Sequence, residues 1–174
     1  MSIPNIITLI RIILIPWFAI LLINGSFNQA LWVFAGAAMS DMLDGLIARW
    51  FSQKTRLGSF LDPIADKMLL STAFISLAVL KEIPVWLSVI VISRDVVILV
   101  GVSILFLNQV HLEIKPTVIS KITTIFQLLL VLLILSSGYI HFADWLRQGL
   151  ILTTLVCTIL SGLHYVYSGL KILT

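Results

Sequence analysis

The sequence predicts an all-α integral membrane protein of six transmembrane helices, organised as one membrane domain over residues 1–174. Three observations carry that prediction. Of the 174 residues, 60% are hydrophobic and only 11% charged, with mean hydropathy +1.13. A soluble domain carries roughly a quarter charged residues, so this chain lacks the polar surface to clothe a water-soluble globule. Six apolar stretches also recur along it, each near the length of about 20 residues needed to cross the hydrocarbon core. Finally, most of the few charges gather in short segments between or near the ends of those stretches.

The stretches run near Ile6–Ile23, Ala30–Phe51, Ser59–Leu80, Val85–Leu107, Val118–Ser136 and Leu146–Leu170. Turn-forming or polar breaks separate them at Asn24-Gly25-Ser26, Ser52–Leu57, Lys81–Pro84, Asn108–Pro116 and Ser137–Asp144. The first stretch lacks a basic leader and carries Arg11 inside its apolar run, which sets it apart from a signal peptide. No Arg- and Ser-rich transit segment precedes it, so the expectation is a bacterial inner (plasma) membrane, crossed several times. Lysine and arginine asymmetry orients the chain. With a cytoplasmic amino terminus, Arg49, Lys54, Arg56, Lys115, Lys121 and Lys171 fall inside, and Lys81 and Arg147 outside. Both termini are then cytoplasmic.

Some residue types exclude functions. The single Cys157 rules out an internal disulfide framework and a cysteine-rich metal site. His111, His141 and His164 are scattered without metal-ligand spacing. Most tryptophans fall near span ends, as interfacial anchors do. The net charge of +3 suits contact with anionic lipid headgroups, and no nucleic-acid partner is expected.

The informative feature is acidic. Of eight acidic residues, four (Asp41, Asp44, Asp62 and Asp66) sit at the facing ends of the second and third spans. Ionisable groups at membrane depth are costly, which makes them functional candidates. Asp41 and Asp44 are three apart and share a helix face, as do Asp62 and Asp66, four apart. Pro63 is tolerable if it falls in the first helical turn. A short connection makes these spans antiparallel neighbours, and so can bring the two carboxylate pairs together. Converging carboxylates repel unless cations neutralise them, and hard oxygen ligands select magnesium, manganese or calcium over zinc. Two readings stay open on spacing alone. One is a metal site; the other is an ion-pair cluster with Arg49, Arg56 and Lys67. A transporter or channel pathway is a third, although no acidic relay continues through the other spans.

The run Asp41-Met-Leu-Asp44-Gly45-Leu-Ile-Ala48-Arg49, followed at fixed spacing by Gly58, Asp62 and Asp66, resembles the signature of the CDP-alcohol phosphatidyltransferases at every specified position. That resemblance implies an active site at the cytoplasmic ends of helices 2 and 3. It implies Asp41, Asp44, Asp62 and Asp66 as ligands of two Mg2+ or Mn2+ ions, with Asp66 also the general base. Gly45, Ala48, Arg49, Thr55 and Gly58 would form the CDP-diacylglycerol pocket, together with Asn5 and Thr8 near the amino terminus. A homodimer is also implied.

The acceptor is read from two further segments, Ile92-Ser93-Arg94-Asp95-Val96 and Lys115-Pro116-Thr117-Val118-Ile119-Ser120-Lys121. Phosphatidylglycerophosphate synthases typically carry Arg-Glu at the first, a further arginine beyond it, and a second lysine in the other. Here Asp95, Val102 and Thr123 stand at those places. A pocket keeping Arg94 and Lys121 suits a phosphodiester of single charge better than a phosphomonoester of about −1.5 to −2. The segments resemble the eukaryotic-type cardiolipin synthases of the same family, which implies phosphatidylglycerol as acceptor, ahead of glycerol 3-phosphate. A buried Arg94–Asp95 pair that fixes the fourth span is the structural alternative.

Overall fold

Backbone N–H and C=O groups in an apolar setting must pair within the protein, and a helix pairs them within its own segment. The structure, a computed structural model, describes the backbone of residues 3–51, 56–107, 118–140 and 142–173. It describes the side chains of 10–40, 65, 67–101, 118–140 and 142–168. Among the described residues every regular element is helical: α1 (Ile3–Ile23), α2 (Phe27–Phe51), α3 (Arg56–Val79), α4 (Val85–Leu107), α5 (Val118–Leu135) and α6 (Asp144–Leu173). One 3-10 turn, Ser136–Gly138, follows α5.

These bounds match the six apolar stretches within a few residues, and α4 matches at both ends. One expectation differs. Because α3 begins at Arg56, position 63 falls beyond the first turn, not within it. Among the described residues, α5 with Gly138 (Val118–Gly138) and Asp144–Ser168 of α6 are long and apolar enough to cross a membrane. Ile10–Ile23 and Lys67–Val79 are shorter apolar stretches.

The helices close into a ring. α1 packs against both α2 and α3, α3 against α4, α4 against α6, α6 against α5, and α5 returns to α2. The interior is filled by Ile15, Phe18 and Leu22 of α1, Phe34 of α2, and Leu69, Phe74 and Leu77 of α3. Leu87 and Val91 of α4 and Leu130 and Ile134 of α5 complete it. Phe18 and Phe34 meet in a tilted ring contact at 5.5 Å. The outward face is apolar as well: Ile10, Ile13, Trp17 and Ile20 of α1, at one-turn spacing, are all more than half exposed. A helix hydrophobic all round belongs in a core or a bilayer.

Because apolar packing gains little over lipid, polar contacts between helices give the ring its direction. Ser88 Oγ donates to Phe74 O at 2.8 Å, joining α4 to α3. Along the α5–α6 seam, Thr123 Oγ1 reaches Ile119 O at 2.8 Å and Cys157 O at 3.0 Å. Thr154 Oγ1 lies 3.4 Å from Phe126 O, and Gln127 Nε2 lies 3.5 Å from Thr158 Oγ1. Gln127 is fully buried and its Oε1 has no hydrogen-bond partner.

Two helices stop by the same backbone device. After α1, Ser26 N bonds Leu21 O and Gly25 N bonds Leu22 O, with Gly25 at φ 71°. After α3, Glu82 N bonds Leu77 O and Lys81 N bonds Ala78 O, with Lys81 at φ 61°. Glycine takes this left-handed position freely, whereas a side chain there is strained. At the same end Arg147 of α6 grips Glu82, bonding its carbonyl and, at 2.9 Å, its carboxylate.

Two outcomes follow from this packing. Lys81→Gly relieves the left-handed strain and raises stability by about 1 kcal/mol, read as a higher thermal midpoint in detergent; a lower midpoint would contradict the account. Gln127→Leu removes an unsatisfied buried oxygen and a long hydrogen bond, so the same measurement should show no loss, or a gain of up to about 1 kcal/mol.

Candidate functional site

The signature positions lie on two helices joined at one end of the bundle. Positions 41, 44, 45, 48 and 49 occupy the last part of α2, and positions 58, 62 and 66 the first part of α3. The connection between them, 52–55, is four residues long, so both segments sit at that end. Asn5 and Thr8 lie in the first turns of α1. The side chains of Asn5, Thr8, Asp41, Asp44, Gly45, Ala48, Arg49, Gly58, Asp62 and Asp66 lie outside the described residues, as does Thr55 entirely.

Among the described residues, α1 packs extensively against both α2 and α3, which make little contact with each other. α1 thus bears on both, and it carries a charge into the interior. Arg11 is buried at 1% exposure, and its Nη2 lies 3.4 Å from Ser40 Oγ, on the residue preceding Asp41. Ser40 Oγ itself donates to Ala37 O at 2.8 Å. The sequence signal for Arg11 was present, as the one charge in the first apolar run, but nothing in the run says which helix it faces.

A second polar cluster lies among the described residues. Asp95, 3% exposed, receives two cations on one oxygen: Oδ1 accepts from Lys67 Nζ of α3 and, at 2.6 Å, from Arg94 Nη1. Arg94 also donates through Nη2 to Ser120 Oγ of α5 at 2.6 Å and to Ser161 Oγ of α6 at 2.7 Å. Its Nε lies 3.3 Å from the same Ser161 oxygen. Of the five guanidinium N–H groups, four are thereby engaged. Asp95 Oδ2 is buried and has no hydrogen-bond partner among the described residues. Arg94 is therefore a buried pair with Asp95 and a tie to α5 and α6, which is the structural alternative foreseen for it. Lys121 is exposed on α5, one residue after Ser120.

Lys67 pairs with α4, and this pairing across helices was not foreseen. Thr123, at the place of an expected lysine, is completely buried and bonded to α6. A lysine there would bring an ammonium group into the α5–α6 seam. Among the described residues no group of three or more His, Cys, Asp or Glu side chains converges as a metal site. A groove lined by Ala78, Lys81, Ile83, Pro84, Arg147 and Ile151 lies at the opposite end from the signature.

Comparison with known proteins fits this arrangement. The family profile for CDP-alcohol phosphatidyltransferase matches residues 1–160. A cardiolipin synthase (CMP-forming) of Rattus norvegicus is 39% identical over 98% of this chain. The chain spans 62% of that relative's length. A probable phosphatidylglycerophosphate synthase of Mycobacterium tuberculosis is 31% identical, covering 98% of this chain and 82% of the relative. A CDP-diacylglycerol–glycerol-3-phosphate 3-phosphatidyltransferase of Aquifex aeolicus is 31% identical, covering 99% and 98%. With the signature spacing intact on α2 and α3 and the profile covering nearly the whole chain, the protein belongs to the CDP-alcohol phosphatidyltransferase family.

Proposed function

We propose that this chain moves the phosphatidyl group of CDP-diacylglycerol to phosphatidylglycerol, forming cardiolipin and releasing CMP. The observation that carries the reading is the eight-position signature on the adjoining ends of α2 and α3, in a chain whose relatives include cardiolipin synthases (CMP-forming). The work takes place in a bacterial plasma membrane, with six spans, both termini and the site on the cytoplasmic side, and two protomers associated.

The donor set of four carboxylates on two helix ends suits hard divalent cations, so Asp41, Asp44, Asp62 and Asp66 would hold two Mg2+ or Mn2+ ions. When bound, such ions neutralise charge on the diphosphate and on the leaving oxygen. The chain's own residues do the rest. Asp66 takes the proton of the acceptor hydroxyl, and that oxygen attacks the phosphorus bearing the diacylglycerol. The bond from this phosphorus to the oxygen of CMP breaks, and CMP leaves with the electron pair. Arg49 meets the diphosphate, and Asn5, Thr8, Gly45, Ala48, Thr55 and Gly58 hold the nucleotide. Positioning and electrostatics supply most of the acceleration in transfers of this kind.

On the acceptor side Lys121 and Arg94 provide the positive charge. Arg94 acts mainly through its potential, because four of its five N–H groups are committed to Asp95, Ser120 and Ser161. Transfer to glycerol 3-phosphate is the second reading, favoured by the Aquifex relative that the chain spans almost entirely.

Asp66→Asn should lower transfer on the order of 10²- to 10⁴-fold while CDP-diacylglycerol still binds; unimpaired turnover removes Asp66 from the role of base. Purified protein given CDP-diacylglycerol and Mg2+ should form cardiolipin with phosphatidylglycerol and little product with glycerol 3-phosphate. Product from glycerol 3-phosphate alone would establish the second reading. Val102→Arg, made without touching the buried Thr123, should raise use of glycerol 3-phosphate if acceptor charge is what the pocket reads.

A further inference from the structure

Lys67 follows Asp66 directly, yet its ammonium is held by Asp95 on α4. A helix turns about 100° per residue, so positions 62 and 66 lie within about 40° of each other and about 100–140° round α3 from Lys67. Whatever holds Lys67 therefore fixes the roll of α3, and with it the direction presented by the face that carries positions 62 and 66.

Apolar contacts between helices fix their separation but tolerate a small roll. The Ser88–Phe74 bond sits two helical turns further along α3, where it constrains spacing more than rotation. A charge pair in a low-dielectric interior is far less forgiving, because misalignment leaves charge without its counterpart. Asp95 is well anchored for that task. Its Oδ1 receives Arg94 as well as Lys67, and Arg94 is tied to Ser120 of α5 and Ser161 of α6. The stem of Arg94 also lies beside Gly162 of α6. One carboxylate thus refers the roll of α3 to three other helices.

We propose that Asp95 is a positioning residue for the transfer reaction, acting through Lys67 to set the roll of α3 and so the placement of Asp62 and Asp66. The inference rests on the reading of those two aspartates as site residues. It assigns Asp95 no contact with substrate, and it gives the Arg94–Asp95 pair a task in turnover beyond holding the bundle together.

The test compares kcat, KM for both substrates and thermal midpoint in purified wild type, Asp95→Asn, Asp95→Glu, Lys67→Met, and Asp95→Asn with Lys67→Met. Glu82→Gln, which weakens the Arg147 tie at the opposite end, serves as a variant of structure alone. Per folded molecule, Asp95→Asn should lower kcat on the order of 100-fold, the scale of a small misplacement of reacting groups, with KM for CDP-diacylglycerol little changed; KM for the acceptor also reads Arg94, which the same change unpairs. The double variant should be no slower than the slower single one. Asp95→Glu, which keeps the charge on a longer arm, should fall between wild type and Asp95→Asn. Glu82→Gln should lower the thermal midpoint without lowering kcat. If Asp95→Asn does not fold, the Glu variant decides: an intermediate kcat supports the proposal, and a wild-type kcat overturns it. Wild-type kcat in folded Asp95→Asn overturns it too, as does a Glu variant that folds but is no better than Asn. A wild-type protein that transfers to neither alcohol would instead strike at the proposed function itself.

Discussion

A carboxylate shut away from water among apolar helices costs several kcal/mol unless cations and hydrogen bonds surround it. Asp95 is in that position, and much of the arrangement of this bundle can be traced to satisfying it. Lys67 must come from α3 and Arg94 from α4 itself. Arg94 then needs acceptors of its own, which Ser120 and Ser161 supply from α5 and α6. Four helices are thereby brought to a common point by groups that hold little value for one another in water. The apolar contacts fill the space between, but they are poor at choosing one arrangement over another where the outside is apolar as well.

The two ends of the bundle are built on different principles. At one, the chain turns by backbone hydrogen bonds at Gly25 and Lys81, and Arg147 ties the start of α6 to Glu82. The acid there is engaged, and the turns are short. At the other end lie the signature positions of α2 and α3, where four aspartates fall within 26 residues of sequence, with Arg49, Lys54 and Arg56 between the two pairs.

Helix extents were legible in the sequence because apolar length is a local property: α4 runs over Val85–Leu107 as expected, and α5 begins at Val118. The signature was legible for a similar reason, since its spacing lies within one stretch of chain. Partnerships were not. Lys67 and Asp95 stand 28 residues apart, and nothing along the chain states which way each faces. Thr123 reads as a missing lysine when aligned by pattern, yet its burial against Cys157 shows a position that packing has claimed. The short link between α2 and α3 said nothing of α1, which among the described residues packs on both.

That double contact has a mechanical consequence. Arg11 against Ser40 and Phe18 against Phe34 hold α1 to α2, while other residues of α1 bear on α3. A close-packed interior passes on a change of even one methylene. The bulk of α1 residues outside the signature is therefore felt by both helices that carry it.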